Sequence, residues 1–171
     1  MVNEDQLPQG DSALFRALMG RYATGVSLIV TSTPDGPRGL TANSLTSVSL
    51  DPMLILFCLN NGSRTGAYIR QSRRFSVNIL GRHQEKLSRL FAGEKCPAST
   101  AVEWVQFRGA PVLADAEAVL LCDLREEHRG GDHSIMIGAV TAMTGRQLPR
   151  APLIFYRGKY STVAPSITHE E

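Results

Sequence analysis

Two β-rich runs, each folded back on a tight turn, constrain this chain more than any other feature. Val26 to Thr33 is β-branched and apolar, Pro34-Asp35-Gly36 closes it, and Arg38 to Ser44 returns. Ala116 to Arg129 and Ser134 to Thr144 form two longer runs joined at Gly130-Gly131-Asp132-His133. Strands separated by turns this short favour an antiparallel barrel over a βαβ sheet. The absence of G-x-G-x-x-G after a strand, and of G-x-x-x-x-G-K anywhere, argues against a Rossmann or P-loop nucleotide site.

The remaining segments fit between these runs. Residues 1–10 are polar, with Pro8 and Gly10, and read as a flexible lead-in to a domain over residues 11–163. Asp11 or Ser12 caps a helix from Ala13, in which Leu14, Phe15, Leu18, Met19 and Tyr22 recur at helical spacing; Gly25 ends the segment. Asp51-Pro52 marks a corner before Met53 to Leu59, a continuous apolar run expected to be buried on both faces. Asn60-Asn61-Gly62 turns the chain, and Ser63 caps a short helix through Ser72. Phe75 to Leu80 alternates with period two, which predicts a strand with one polar face. Gln84 to Phe91 reads as a second short helix, with Leu87, Leu90 and Phe91 inward and Gly93 as its stop. Residues 94–105 have no period and read as a long excursion, Leu153 to Tyr160 reads as the last strand, and residues 164–171 as a polar tail. The sum is about six strands with a leading helix and short helices between strands.

Composition narrows the function. A chain of 171 residues, 43% apolar and 20% charged, suits one soluble domain with a substantial core. Its net charge of +2, with scattered arginines, gives no footprint for nucleic acid or an anionic membrane. Met53 to Leu59 is the longest apolar run, far short of a membrane span, and the acidic start lacks the basic, apolar pattern of a signal peptide. A cytoplasmic location is the expectation. Cys58, Cys96 and Cys122 lack C-x-x-C spacing, and the four histidines lack H-x-H or H-x-x-x-H, so neither disulfides nor a metal site is expected.

Gly39 to Pro52 stands apart chemically. This fourteen-residue run holds two Thr, three Ser and an Asn, with one acid and no base. Small neutral donors and acceptors suit a largely apolar ligand with a hydrogen-bonding rim; they equally suit a strand and turn whose hydroxyls bond local backbone.

The order of short motifs resembles that of the flavin reductase-like family, the short-chain NAD(P)H:flavin oxidoreductases that serve two-component monooxygenases. The matching pieces are Tyr22-Ala23-Thr24-Gly25-Val26, Gly39 to Ser44, Ser47 to Pro52, Phe75 to Leu80, Leu90 to Gly93, Gly109 to Leu113, Gly131 to Ser134, Ile137 to Val140 and Pro152 to Gly158. They run in family order over residues 14–160. The resemblance implies a mainly β fold: the FMN-binding split β-barrel, antiparallel and Greek-key-like, with an N-terminal helix and short connecting helices. It also implies a homodimer with flavin near the subunit interface, NADH or NADPH as co-substrate, and FMN or FAD as acceptor.

By the same resemblance, Arg38, Gly39, Leu40, Thr41, Asn43 and Ser44 lie along the flavin, with Ser47 and Ser49 as further contacts. Donors near N1 and O2 of the ring would stabilise the anion that reduced flavin becomes. Cys58, Leu59 and Asn60 pass near the ring, and Ser63, Arg64 and Thr65 at a helix start suit a phosphate. Phe91 packs near the cofactor or serves as helix core. His133 lies on the nicotinamide side, with Tyr156 and Arg157 near it, and Asp132 fixes the turn. The implied activity is hydride transfer from nicotinamide C4 to flavin N5, with the reduced flavin diffusing to a partner monooxygenase. Two alternatives stand beside it: a flavoprotein that holds FMN tightly and reduces another acceptor, and a flavin-binding or redox-sensing protein without turnover.

Overall fold

The computed structural model describes residues 11–96 and 102–163. The proposed lead-in, the tail and residues 97–101 of the excursion lie outside them. Seven strands form one antiparallel sheet: β2 (Ser27–Thr33), β3 (Gly36–Ala42), β4 (Thr46–Leu50), β5 (Met53–Asn60), β6 (Arg74–Ile79), β9 (Ala118–Gly130) and β10 (His133–Gly145). Their order is β3-β2-β6-β9-β10-β5-β4. A three-stranded sheet joins β1 (Thr24–Gly25), β11 (Ile154–Tyr156) and β12 (Lys159–Ser161), and β7 (Trp104–Phe107) pairs with β8 (Ala110–Leu113). The helices are α1 (Ser12–Met19), α2 (Arg64–Ser72) and α3 (Glu85–Phe91), the last entered through a 3-10 turn, Arg82–Gln84.

The large sheet curls until β3 and β5 approach each other without pairing as strands. Ser44 bridges them at one end: its Oγ accepts from Cys58 N at 2.9 Å and donates to Cys58 O at 3.3 Å. Lower down, α2 fills the gap. Thr65 Oγ1 donates to Gly39 O at 3.3 Å, and a Cβ on Gly66 would stand 2.8 Å from Leu59 Cδ1. Glycine at 66 therefore lets the helix lie against β5. The result is a split barrel plugged by a helix.

Period-two alternation along β2 divides the core in two. Leu28 and Val30 join Leu80, Val112, Leu121 and Leu153 on one side; Ile29 joins Phe57, Ile69, Phe75, Val77 and Met136 on the other. All of these side chains are buried.

The polar face expected along Phe75 to Leu80 is present and fully buried, because the β7–β8 hairpin covers it, while two other expectations need correction. Ser76 Oγ donates to Pro111 O, Asn78 Nδ2 donates to Leu28 O, and Asn78 Oδ1 accepts from Leu113 N, so no polar cost remains. Met53 to Leu59 is buried on one face only: Ile55, Phe57 and Leu59 point inward, while Leu54, Leu56 and Cys58 stay half-exposed. Leu153 to Tyr160 is two short strands, since Arg157 at φ 50° and Gly158 at φ 74° turn the chain between them. Among the described residues no helix is long and apolar enough to cross a membrane.

Candidate functional site

Helix α1 starts where Asp11 accepts from Ala13 N and Leu14 N, as a capping side chain should. None of its residues is buried. Phe15 (64% exposed), Leu18 (48%) and Met19 (53%) leave its apolar stripe outside both cores. The helix is tethered instead at its end, where Arg157 N donates to Gly20 O at 2.7 Å. Between α1 and the barrel wall lies a cleft of about 1000 Å³. Phe15, Arg16, Met19 and Gly20 form one side; Tyr22 to Ser27, Asn43 to Thr46, Ile79, His133, Phe155 and Gly158 form the rest.

The cleft brings the neighbouring Asn43 and Ser44 together with His133, which lies far along the sequence. Asn43 and Ser44 sit where the chain leaves β3 for β4. His133 opens β10 and pairs across the sheet with Asn60 of β5, as Ile135 pairs with Cys58. Because paired residues share a face, His133 and Asn60 lie side by side on the outer surface. Asp132 Oδ1 accepts from His133 Nδ1 at 2.7 Å, which leaves Nε2 as the free ring nitrogen. The same hydrogen bond holds the Asp132 carboxyl below the usual carboxylate range.

Other candidates lie in different surroundings. Gly39 and Thr41 face α3: Thr41 Oγ1 donates to Ser88 O at 2.7 Å, and a Cβ on Gly39 would stand 3.3 Å from Phe91 Cδ1. Phe91 packs on the first core and meets Trp104 edge-to-face at 6.0 Å. Leu40 packs against the second core. Arg38 is exposed and lies 5.7 Å over the Tyr68 ring of α2. Ser47 and Ser49 flank a bulge in β4, an edge strand. Ser63 caps α2, its Oγ accepting from Gly66 N at 3.1 Å, and Arg64 stands exposed at the helix start. Tyr156 and Arg157 sit at the β11–β12 turn beside Gly158 of the cleft.

The sequence reading did not single out Phe15, Met19, Thr24 and Phe155 as lining residues. An amphipathic stripe reads as core-facing whether or not a core lies under it, so periodicity could not place Phe15 and Met19. Thr24 carried one usable signal, its place in the Tyr22-to-Val26 motif. Its Oγ1 is the one buried side-chain polar atom without a hydrogen-bond partner among the described residues.

The described residues hold no group of His, Cys, Asp and Glu able to bind a metal ion. Burial pushes the Cys122 thiol up to about 12, so that sulfur offers no nucleophile.

Residues 19–164 match the model of the flavin reductase like domain. The reductase subunit HsaB of a flavin-dependent monooxygenase from Mycobacterium tuberculosis is 34% identical over 164 residues, covering 94% of this chain and 87% of that protein. The solved structure of flavin reductase PheA2 superposes with a TM-score of 0.85 at 38% identity, covering 91% of this chain and 99% of the other. The NADH:FAD oxidoreductase SgcE6 of Streptomyces globisporus, in complex with NAD and FAD fragments, gives a TM-score of 0.83 at 33% identity, covering 94% and 98% of the two chains.

Proposed function

The chain belongs to the flavin reductase-like family, and on that premise we propose how its own residues serve an NAD(P)H-dependent flavin reductase. The observation that carries this reading is the cleft, which gathers the neutral donors of the β3–β4 corner and the His133 imidazole into one space of about 1000 Å³. That volume accommodates a flavin ring with a nicotinamide against it.

The lining fits a flavin. Asn43, Ser44 and Thr46 offer uncharged donors and acceptors for the ring's polar rim, while Phe15, Met19 and Phe155 suit its flat apolar faces. Thr24 adds a hydroxyl with no partner of its own. Exposed Arg64 beside the first N–H groups of α2 suits a phosphate. A bound flavin supplies hydride-accepting chemistry, so the protein's part is to align two rings and keep water from between them. His133, oriented by Asp132, presents Nε2 to the nicotinamide side as a hydrogen-bonding group. No protein acid, base or nucleophile is required.

HsaB is the reductase subunit of a flavin-dependent monooxygenase, and we assign this chain the same place: it passes reduced flavin to a partner monooxygenase. Neither alternative raised by the sequence gains support. We also propose a homodimer, because α1, the β4 edge (Val48, Leu50) and Met53 at the start of β5 expose apolar side chains that a monomer would leave in water.

Steady-state assays that cross NADH and NADPH with riboflavin, FMN and FAD test the function. The expected result is nicotinamide oxidation that depends on added flavin; a purified yellow protein whose colour neither nucleotide bleaches would overturn it. His133→Ala should raise KM for the nicotinamide nucleotide about tenfold and leave flavin affinity unchanged.

A further inference from the structure

His133 stands at a corner that would otherwise be loose. Gly130 and Gly131 precede it, Gly131 at φ 68°, and Gly130, Gly131 and Asp132 are solvent-exposed, while His133 is half-buried and Ser134 buried. A histidine that must meet a nucleotide repeatedly at one place needs this corner held. The holding groups come from another part of the chain, the turn between β5 and α2.

Asn61 makes three contacts there. Its backbone N donates to Asp132 O at 3.1 Å, its Nδ2 donates to Gly131 O at 3.1 Å, and its Oδ1 accepts from Ser134 Oγ at 3.1 Å. One residue thus bonds to the residues on both sides of His133 and to one further back. Ser134 is tied in turn: Arg70 Nη2 of α2 donates to its Oγ at 3.3 Å, and Arg70 forms a forked pair with Glu127 of β9 at 2.6 to 3.1 Å. The turn that supplies Asn61 also carries Asn60 and leads directly to Ser63 and Arg64. The groups assigned to the flavin phosphate and the group assigned to the nicotinamide are therefore joined by one short hydrogen-bonded bridge.

We infer that Asn61 is a positioning residue for the nicotinamide side, fixing His133 through the Gly131–Ser134 corner while touching neither ligand. The inference rests on the reading of His133 given above. A hydroxyl or amide that merely satisfied a surface turn would affect stability alone. A positioning group shifts the nucleotide's KM through His133 and nothing else.

The test uses the full chain with Asn61→Ala, His133→Ala and the double variant. Flavin-free protein is first followed by amide hydrogen exchange: Asn61→Ala should speed exchange at Gly131–Ser134 about tenfold and leave the barrel strands unchanged. In steady state the same variant should raise KM for the nicotinamide nucleotide about fivefold to tenfold, with kcat and flavin affinity within about twofold. In the His133→Ala background, Asn61→Ala should add nothing, as expected for two residues acting as one. Unchanged exchange at the corner, an unchanged KM, or an equal KM rise in both backgrounds would each overturn the inference. Should His133→Ala by itself leave KM unchanged, the reading of His133 fails first and the inference falls with it. If Asn61→Ala does not fold, Ser134→Ala removes one contact of the bridge. The expected KM rise is then about twofold to threefold and absent without His133. No rise, or one that persists without His133, overturns the inference.

Discussion

At Glu127 a single carboxylate reports how tightly the corner is fastened. Hydrogen bonding to the Arg70 guanidinium holds its carboxyl near 2, against 4.5 for an unperturbed glutamate. The folded carboxyl thus ionises more readily than the unfolded one, so the pair stabilises the fold fully above the unfolded value. That contribution is lost as pH falls from about 4.5 toward 2. Thermal melts of wild type and Glu127→Gln should therefore differ by a constant amount above about pH 5.5 and converge in acid. A gap that widened below pH 4 would reverse the assignment. Arg64 makes a second residue-scale case. It is exposed, and its proposed partner is a phosphate that riboflavin lacks. Arg64→Ala should weaken FMN about tenfold and riboflavin hardly at all, measured by flavin fluorescence titration; equal losses would remove it from a phosphate site.

Elements are held to one another by a few buried polar side chains as well as by apolar contact. Asn78 of β6 is fully buried, and it binds β2 through Leu28 O and β8 through Leu113 N. Ser76 beside it binds Pro111 O. The β7–β8 hairpin thus covers the barrel because two polar side chains of β6 point at it. Asn78→Ala would strand both a backbone donor and a backbone acceptor in the core. A destabilisation of about 3 kcal/mol in urea unfolding is expected, with amides of Ala110–Leu113 exchanging first. A loss under about 1 kcal/mol would show that water replaces the amide.

For the molecule as a whole, the notable surface is the apolar stripe of α1 together with the β4 edge. Leu18 is 48% exposed and Leu50 86% exposed, and neither lines the cleft. If a second copy covers these faces, sedimentation should give twice 18.6 kDa, and Leu18→Glu with Leu50→Glu should halve it without altering the far-ultraviolet circular dichroism. A monomeric wild type would sink the dimer. The cleft depends on the same helix, so the variant pair also tests whether α1 needs a partner to keep its place.

The long hairpin was legible in the sequence: Ala116 to Arg129 and Ser134 to Thr144 became Ala118–Gly130 and His133–Gly145. Alternation over many residues and glycines at the corner leave little freedom in such a pair. The capping of α2 by Ser63 was equally readable, and that of α1 was narrowed to Asp11 or Ser12, of which Asp11 is the cap, because capping is local chemistry. Short elements were not. Trp104–Phe107 and Thr46–Leu50 are half or mostly exposed and carry no full period, so only their partners make them strands. The sequence by itself determined a mainly β chain, its turn positions and, through ordered motifs, its family. Only the tertiary structure decided which face of each element met a core. It covered Ser76 and Asn78, left the α1 stripe bare, and brought Asn43 and Ser44 within one cleft with His133. Those outcomes depend on contacts between residues far apart in the chain, and a local pattern records that a face exists without recording what lies against it.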